Sequence, residues 1–204
     1  MADEFICDNP EIRDFIGYIK EIIAGTASVQ EKLSAIRPHF SQLIANSAWL
    51  PVEFRRFAKE GGMGKGIANW LLSRDTGGLL SLTSLVLPAG VATPVHDHLA
   101  WGMVGLLSGE QEEEVYETGA SVHPGDRQVD MRLVAKNQLQ AGFSYELVPP
   151  TGDIHRVVTT GNRPSISIHL LSNDVGCVMR HRFEPATGEV APFLTGYTNM
   201  PCEG

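Results

Sequence analysis

The 204 residues include only three cysteines, Cys7, Cys177 and Cys202. Their odd number and wide spacing give neither a zinc-binding pattern nor a disulfide framework, so a reducing cytoplasm is the expected compartment. Positive charge is also short: 16 Lys and Arg against 24 Asp and Glu leave a formal net charge of -8. So acidic a chain lacks the surface that non-specific nucleic-acid binding or a polybasic membrane contact needs. The opening residues Met1-Ala2-Asp3-Glu4 are acidic, unlike a secretory leader. No apolar run reaches membrane-spanning length, since the longest, from Leu79 to Val91, is broken by Ser, Thr, Pro and Gly. Solenoid-period repeats and low-complexity linkers are absent too.

What remains is an ordinary globular composition, 43% hydrophobic and 20% charged. The length suits one structural domain carrying a helical extension. Residues 1–60 read as a helical segment packed on a β barrel formed by residues 61–204. In "DNPEIRDFIGYIKEIIAG", Ile12, Phe15, Ile16, Ile19, Ile22 and Ile23 recur at helical spacing. Its start reads two ways: Asn9 as cap puts Pro10 in the first helical position, and Asp8 as cap puts Glu11 at the capping-box spacing. "SVQEKLSAIRPHFSQLIAN" repeats the scheme, with Ser28 as cap and a kink or break near Pro38. A short turn, "LPVEFRRFA", follows.

Beyond Gly61, glycine-rich turns separate short strand-like runs at fairly even spacing, which indicates a mainly β sandwich or small barrel. Alternation in Ser165-Ile166-Ser167-Ile168-His169-Leu170 places Ser167 and His169 on one face and Ile166 and Ile168 on the other. The acidic run Glu110 to Glu114 reads as a solvated strand edge.

Seven histidines are present. In "TPVHDHLAWG", His96 and His98 are two apart, so on a strand both imidazoles point to one side. His155 follows the turn "PPTGDIH", in which Pro150 and Gly152 set up the start of another strand. Three such nitrogens make one face of a metal site with open positions left over, as a catalytic centre requires.

Gly90, His96-x-His98 and Gly109 resemble the first motif of the cupin superfamily, and Gly142 through Pro150-x-Gly152-x-x-His155 resembles the second. The resemblance implies a double-stranded β-helix, or jelly-roll barrel, behind the N-terminal helical segment. Most cupins carry a glutamate ligand after the second histidine, where this chain has Gly102 and Met103. A set of three neutral histidines resembles the thiol dioxygenases, cysteine dioxygenase and its bacterial relatives such as 3-mercaptopropionate dioxygenase. "TPVHDHLAWGMVGLLSGE", "GDIHRV", "RPSISIHLL", "RHRFEPATGEV" and "PFLTGYTN" are similar to segments of the bacterial branch, over Trp70 to Asn199. Gly102 cannot form the thioether crosslink of the mammalian enzymes.

This resemblance implies Fe(II) on His96, His98 and His155, and a small thiol that reacts with O2 to give a sulfinate. Three neutral ligands leave the ion its full charge until an anionic thiolate arrives. It further implies that Ser167 and His169 supply two members of a Ser-x-His-x-Tyr relay, with Leu171 in place of the tyrosine. Asn69 falls where the relatives carry arginine or glutamine, and Trp70 would add an aromatic wall. Both replacements make the pocket less polar. The substrate is then a larger or less charged thiol, or Tyr197, Tyr116, Arg156 or Arg180 replaces the lost contacts, or the chemistry has moved to another substrate. A cupin oxygenase of a non-thiol substrate and a non-catalytic metal- or small-molecule-binding cupin are the alternative functions. No nucleic-acid or membrane partner is expected, and the chain is expected to be a monomer or homo-oligomer.

Overall fold

The computed structural model describes residues 3–58, 63–123 and 125–202. The 60/61 boundary expected between helical segment and barrel lies outside them. The chain begins with a short strand, β1 (Asp3–Phe5), that pairs antiparallel with β2 (Ala68–Asp75). Between them come α1 (Pro10–Gly25), α2 (Val29–Ile44) and a 3-10 turn, Val52–Arg55.

Of the two possible caps for α1, Asn9 is used: its side chain accepts the Ile12 N–H at 2.9 Å. Asp8 instead pairs with Arg13. Ser28 caps α2 in a complete capping box with Glu31. Helix α2 does not break at Pro38. An interior proline costs a helix roughly 3 kcal/mol, but Leu33 and Ile36 before it and Phe40, Leu43 and Ile44 after it are all buried. Packing on both sides outweighs the one missing donor.

That packing is against the barrel. Ile12, Phe15, Ile19, Ile36, Phe40 and Ile44 share a core with sheet residues including Leu82, Met103, Ile166 and Ile168. The approach is so close that a Cβ on Gly105 would lie 2.7 Å from the Phe40 ring and 2.8 Å from Ile44 Cδ1. The helices thus cover the outer face of one sheet and leave its inner face for the barrel interior.

The remaining strands are β3 (Ser81–Leu87), β4 (Val95–His96), β5 (Gly102–Ser108), β6 (Glu110–Thr118), β7 (Met131–Gln140), β8 (Ser144–Leu147), β9 (Ile154–Thr159), β10 (Ser165–Leu171), β11 (Arg180–Glu184) and β12 (Glu189–Phe193). They form two six-stranded antiparallel sheets, ordered β1-β2-β3-β10-β5-β8 and β12-β11-β4-β9-β6-β7. From β3 to β10 the chain passes from sheet to sheet, apart from the β6–β7 hairpin. This is a jelly roll, a double-stranded β-helix. Among the described residues no helix is long and apolar enough to cross a membrane.

Two expectations are corrected. The run Glu110 to Glu114 is not a solvated edge: β6 lies between β9 and β7, and Gln111, Glu113 and Glu114 are buried. Alternation turns Gln111 inward, where its amide donates to Ser165 Oγ at 2.9 Å. Nor is the chain without a disulfide. Cys177 and Cys202 form a disulfide, with Cα atoms 5.3 Å apart, while Cys7 is free and buried. The bridge ties down a C-terminal strap whose Thr198 and Asn199 bond to Asn69 and Leu71 of β2.

Candidate metal centre

His96 and His155 are register partners on the neighbouring strands β4 and β9. His98 lies just past the end of β4. The spacing of two brings it to the same side, and each of the three residues offers a ligand atom within 4.8 Å of the others. All three side chains are buried.

His98 is held by a turn that the buried Asp153 organises. One carboxylate oxygen accepts the His98 N–H and the other the Leu99 N–H, both at 3.1 Å. These bonds fix Leu99 in the left-handed region, at φ 53°, a conformation uncommon for non-glycine residues. Asp97 points the other way and accepts the N–H and Nδ1 of His181 at 2.8 and 2.7 Å, anchoring β4 to β11.

Each Nδ1 of the triad is engaged: in His96 with the Pro94 carbonyl at 2.9 Å, in His98 with the Asp153 carbonyl at 3.3 Å, in His155 with Glu113 Oε1 at 2.8 Å. Such partners fix the tautomer, which leaves three Nε2 lone pairs for an ion. Burial, then the neighbouring histidines, hold His96 and His98 well below the usual imidazole range. They are therefore neutral, as metal ligands must be. Three imidazoles with no carboxylate among them fit a divalent transition metal with positions left over for other ligands.

A small cavity of about 30 Å³ borders the triad, lined in part by Asn69, His96, His98, His169, Leu171 and Arg180. His169 Nε2 and Ser167 Oγ are 2.9 Å apart. Burial, with help from His155 and Arg180, pushes His169 down to about 3, so it too is neutral. Leu171 is fully buried. Asn69 lines the cavity but spends an amide hydrogen on the Gly196 carbonyl at 2.9 Å.

Arg180 has the least conventional surroundings. Its guanidinium donates to the Asp97 carbonyl and to Thr195 Oγ1, and lies 5.3 Å from the Phe193 ring centroid. Its Nε is buried without a partner. Burial lowers its pKa to about 10, which still leaves it charged at neutral pH.

The other expected pocket residues lie elsewhere. Trp70 follows Asn69 on β2, so the pleat turns it to the helix side, where Nε1 donates to the Arg56 carbonyl and the ring meets Phe54 edge-on. Arg156 alternates with His155 in the same way and pairs with Glu114 on the outer face of its sheet. Tyr116 also bonds Glu114 there. Both line an outer groove of about 720 Å³. Tyr197 donates to Asp174 and accepts the Gly176 N–H at 3.0 Å, away from the histidines.

Sequence reasoning missed Glu113, Asp153 and Asp97. Glu113 stands two residues after the inward Gln111, but its acidic neighbours mask that alternation. Besides His155 it accepts Asn137 Nδ2 at 3.0 Å and the Tyr145 hydroxyl. Burial pushes its carboxyl up, but these bonds more than offset that, and the net displacement is downward.

The sequence matches no protein-family model. Among solved structures, a recombinant oxalate oxidase in complex with glycolate is 18% identical over 57% of this chain and 56% of its own, with a TM-score of 0.42. A Klebsiella pneumoniae protein with a double-stranded β-helix domain is 16% identical over 72% of this chain and 98% of its own, at 0.41. A Cupin 2 conserved barrel domain protein from Salinispora arenicola is 15% identical over 56% and 82%, at 0.39. The chain spans 45% of another oxalate oxidase structure.

Proposed function

We propose that this protein is a non-haem Fe(II) dioxygenase that converts a small thiol to its sulfinate, RSH + O2 → RSO2H. The observation that carries the reading is the ligand set: three imidazoles, each oriented through Nδ1, with no carboxylate ligand. Bound Fe(II) would supply a Lewis-acidic centre for the thiolate and for O2, with its charge not yet offset by an anionic ligand.

The chain's own residues account for the rest. Arg180 offers an unpartnered Nε in a wall of the cavity, suited to an anionic group of the substrate. His169, neutral and oriented by Ser167, presents an imidazole beside the reacting sulfur without adding charge. Leu171 keeps its side of the cavity apolar and excludes water. The cavity is small beside the outer groove, about 30 against 720 Å³. Met63 lines both this cavity and the outer groove, which makes it the wall the two share.

One observation favours a second reading, a cupin oxygenase of a non-thiol substrate. Leu171 has no hydroxyl, and the Asn69 amide is already bonded to Gly196, so two positions that contact substrate in the thiol dioxygenases offer little here. Turnover under isotopically labelled dioxygen separates the two readings. The thiol reading predicts both labelled atoms on the sulfur of one product. Label in a carbon-centred product, or none in any thiol product, contradicts it.

A further inference from the structure

Glu113 sits at the inner face of β6, buried to 4% exposure, and three strands converge on its carboxylate. His155 Nδ1 comes from β9 at 2.8 Å, Asn137 Nδ2 from β7 at 3.0 Å and the Tyr145 hydroxyl from β8. Burying a carboxylate is costly, and a barrel interior needing only packing would hold an aliphatic residue there. Three donors from three separate strands make a built receptor for one negative charge. The other two histidines differ: their Nδ1 hydrogen bonds go to the backbone carbonyls of Pro94 and Asp153, and the Asp153 carboxylate stands off at 3.4 Å from His98 Nδ1. His155 is therefore the ligand whose Nδ1 is hydrogen-bonded directly to a carboxylate.

We propose that Glu113 returns to the centre, through His155, the negative charge that Gly102 and Met103 leave out of the ligand set, and so tunes the bound metal. A carboxylate on the Nδ1–H of a ligating imidazole makes Nε2 a stronger donor and favours the higher oxidation state of the ion. Glu113 is thus a positioning residue acting through His155. The proposal rests on the three-histidine metal reading and is independent of which substrate is used.

Glu113→Gln tests it, since it keeps the shape and an acceptor oxygen while removing the charge, and Asn137 can rotate its amide to match. Metal affinity is measured by chelator competition with Fe(II) and Co(II), and the Fe(III)/Fe(II) midpoint by redox titration. The expected result is affinity weakened about 10- to 100-fold and a midpoint moved upward. Tyr145→Phe removes a donor from the carboxylate, leaves it more basic toward His155, and moves the midpoint downward. It probes the same link should the Gln variant not fold. An unchanged midpoint in these variants overturns the proposal. His96→Ala separates the two levels of inference: if it binds metal as tightly as wild type, the three-histidine reading has failed rather than the role of Glu113.

Discussion

His96 and His155 face each other across the β4–β9 ladder, with ring centroids 5.1 Å apart. Residues 59 positions apart in sequence thus become nearest neighbours because the jelly roll lays β9 beside β4. The metal site is a property of that strand order, and its support extends to residues that bear no lone pair toward the ion.

Gly102 shows why the usual carboxylate cannot simply be restored. A Cβ there would lie 2.8 Å from Leu171 Cδ2 and 3.0 Å from Leu171 Cα, and would strike the Leu170 carbonyl. Gly102→Ala is expected to cost about 2 kcal/mol through overpacking, read from denaturant midpoints. A variant as stable as wild type would mean that β5 and β10 separate more easily than this packing implies.

Met63→Ala should open the cavity toward the groove, since Met63 lines both. The expected outcome is a KM for bulkier thiols lowered by about tenfold, with little change for the smallest. Equal changes across a size series would show that Met63 does not control access.

Acid sensitivity follows from His169. Its pKa falls from 6.5 in the unfolded chain to about 3 in the fold. Between those values the unfolded chain binds a proton that the folded one refuses, so stability is full above about pH 6.5 and falls as pH drops toward 3. Metal-free His169→Gln should lose stability less steeply across that window than metal-free wild type, followed by urea unfolding at each pH. Parallel slopes would contradict a buried neutral His169.

The Cys177–Cys202 bridge spans 25 residues and pins the strap that carries Thr195, the partner of Arg180. Closing a loop of that length is worth about 3 kcal/mol in the chain-entropy account. Cys177→Ser should lower the melting temperature, and a dithiol reductant should lower that of wild type by a similar amount. No shift in either would show that the strap is held by its bonds to β2 alone.

The short strands and the sidedness of His96-x-His98 were legible because both rest on short-range patterns, whereas the jelly-roll connectivity and the iron reading of the triad came from the resemblance to cupin motifs. The spacing of two in His96-x-His98 fixes sidedness on any strand, and Ser167/His169 against Ile166/Ile168 shows a sheet with a polar and an apolar face. Glu113 was not legible, because composition reads an acidic run as solvated and only the neighbouring strands reveal which carboxylate turns inward. Asp153 was hidden for a related reason: its partners, His98 and Leu99, are more than fifty residues away in sequence. Trp70 was placed beside Asn69 by sequence adjacency, though the pleat sends adjacent residues to opposite faces. The disulfide depended on a return of the C-terminal strap to residue 177, which no local pattern marks.

The most direct measurement is O2 uptake by protein loaded anaerobically with Fe(II), supplied with 3-mercaptopropionate, cysteine, cysteamine, mercaptosuccinate and their thiol-free analogues. Uptake that requires the thiol, matched by sulfinate and lost in His96→Ala, is the predicted result. Stoichiometric iron with no uptake on any thiol would contradict the proposed activity.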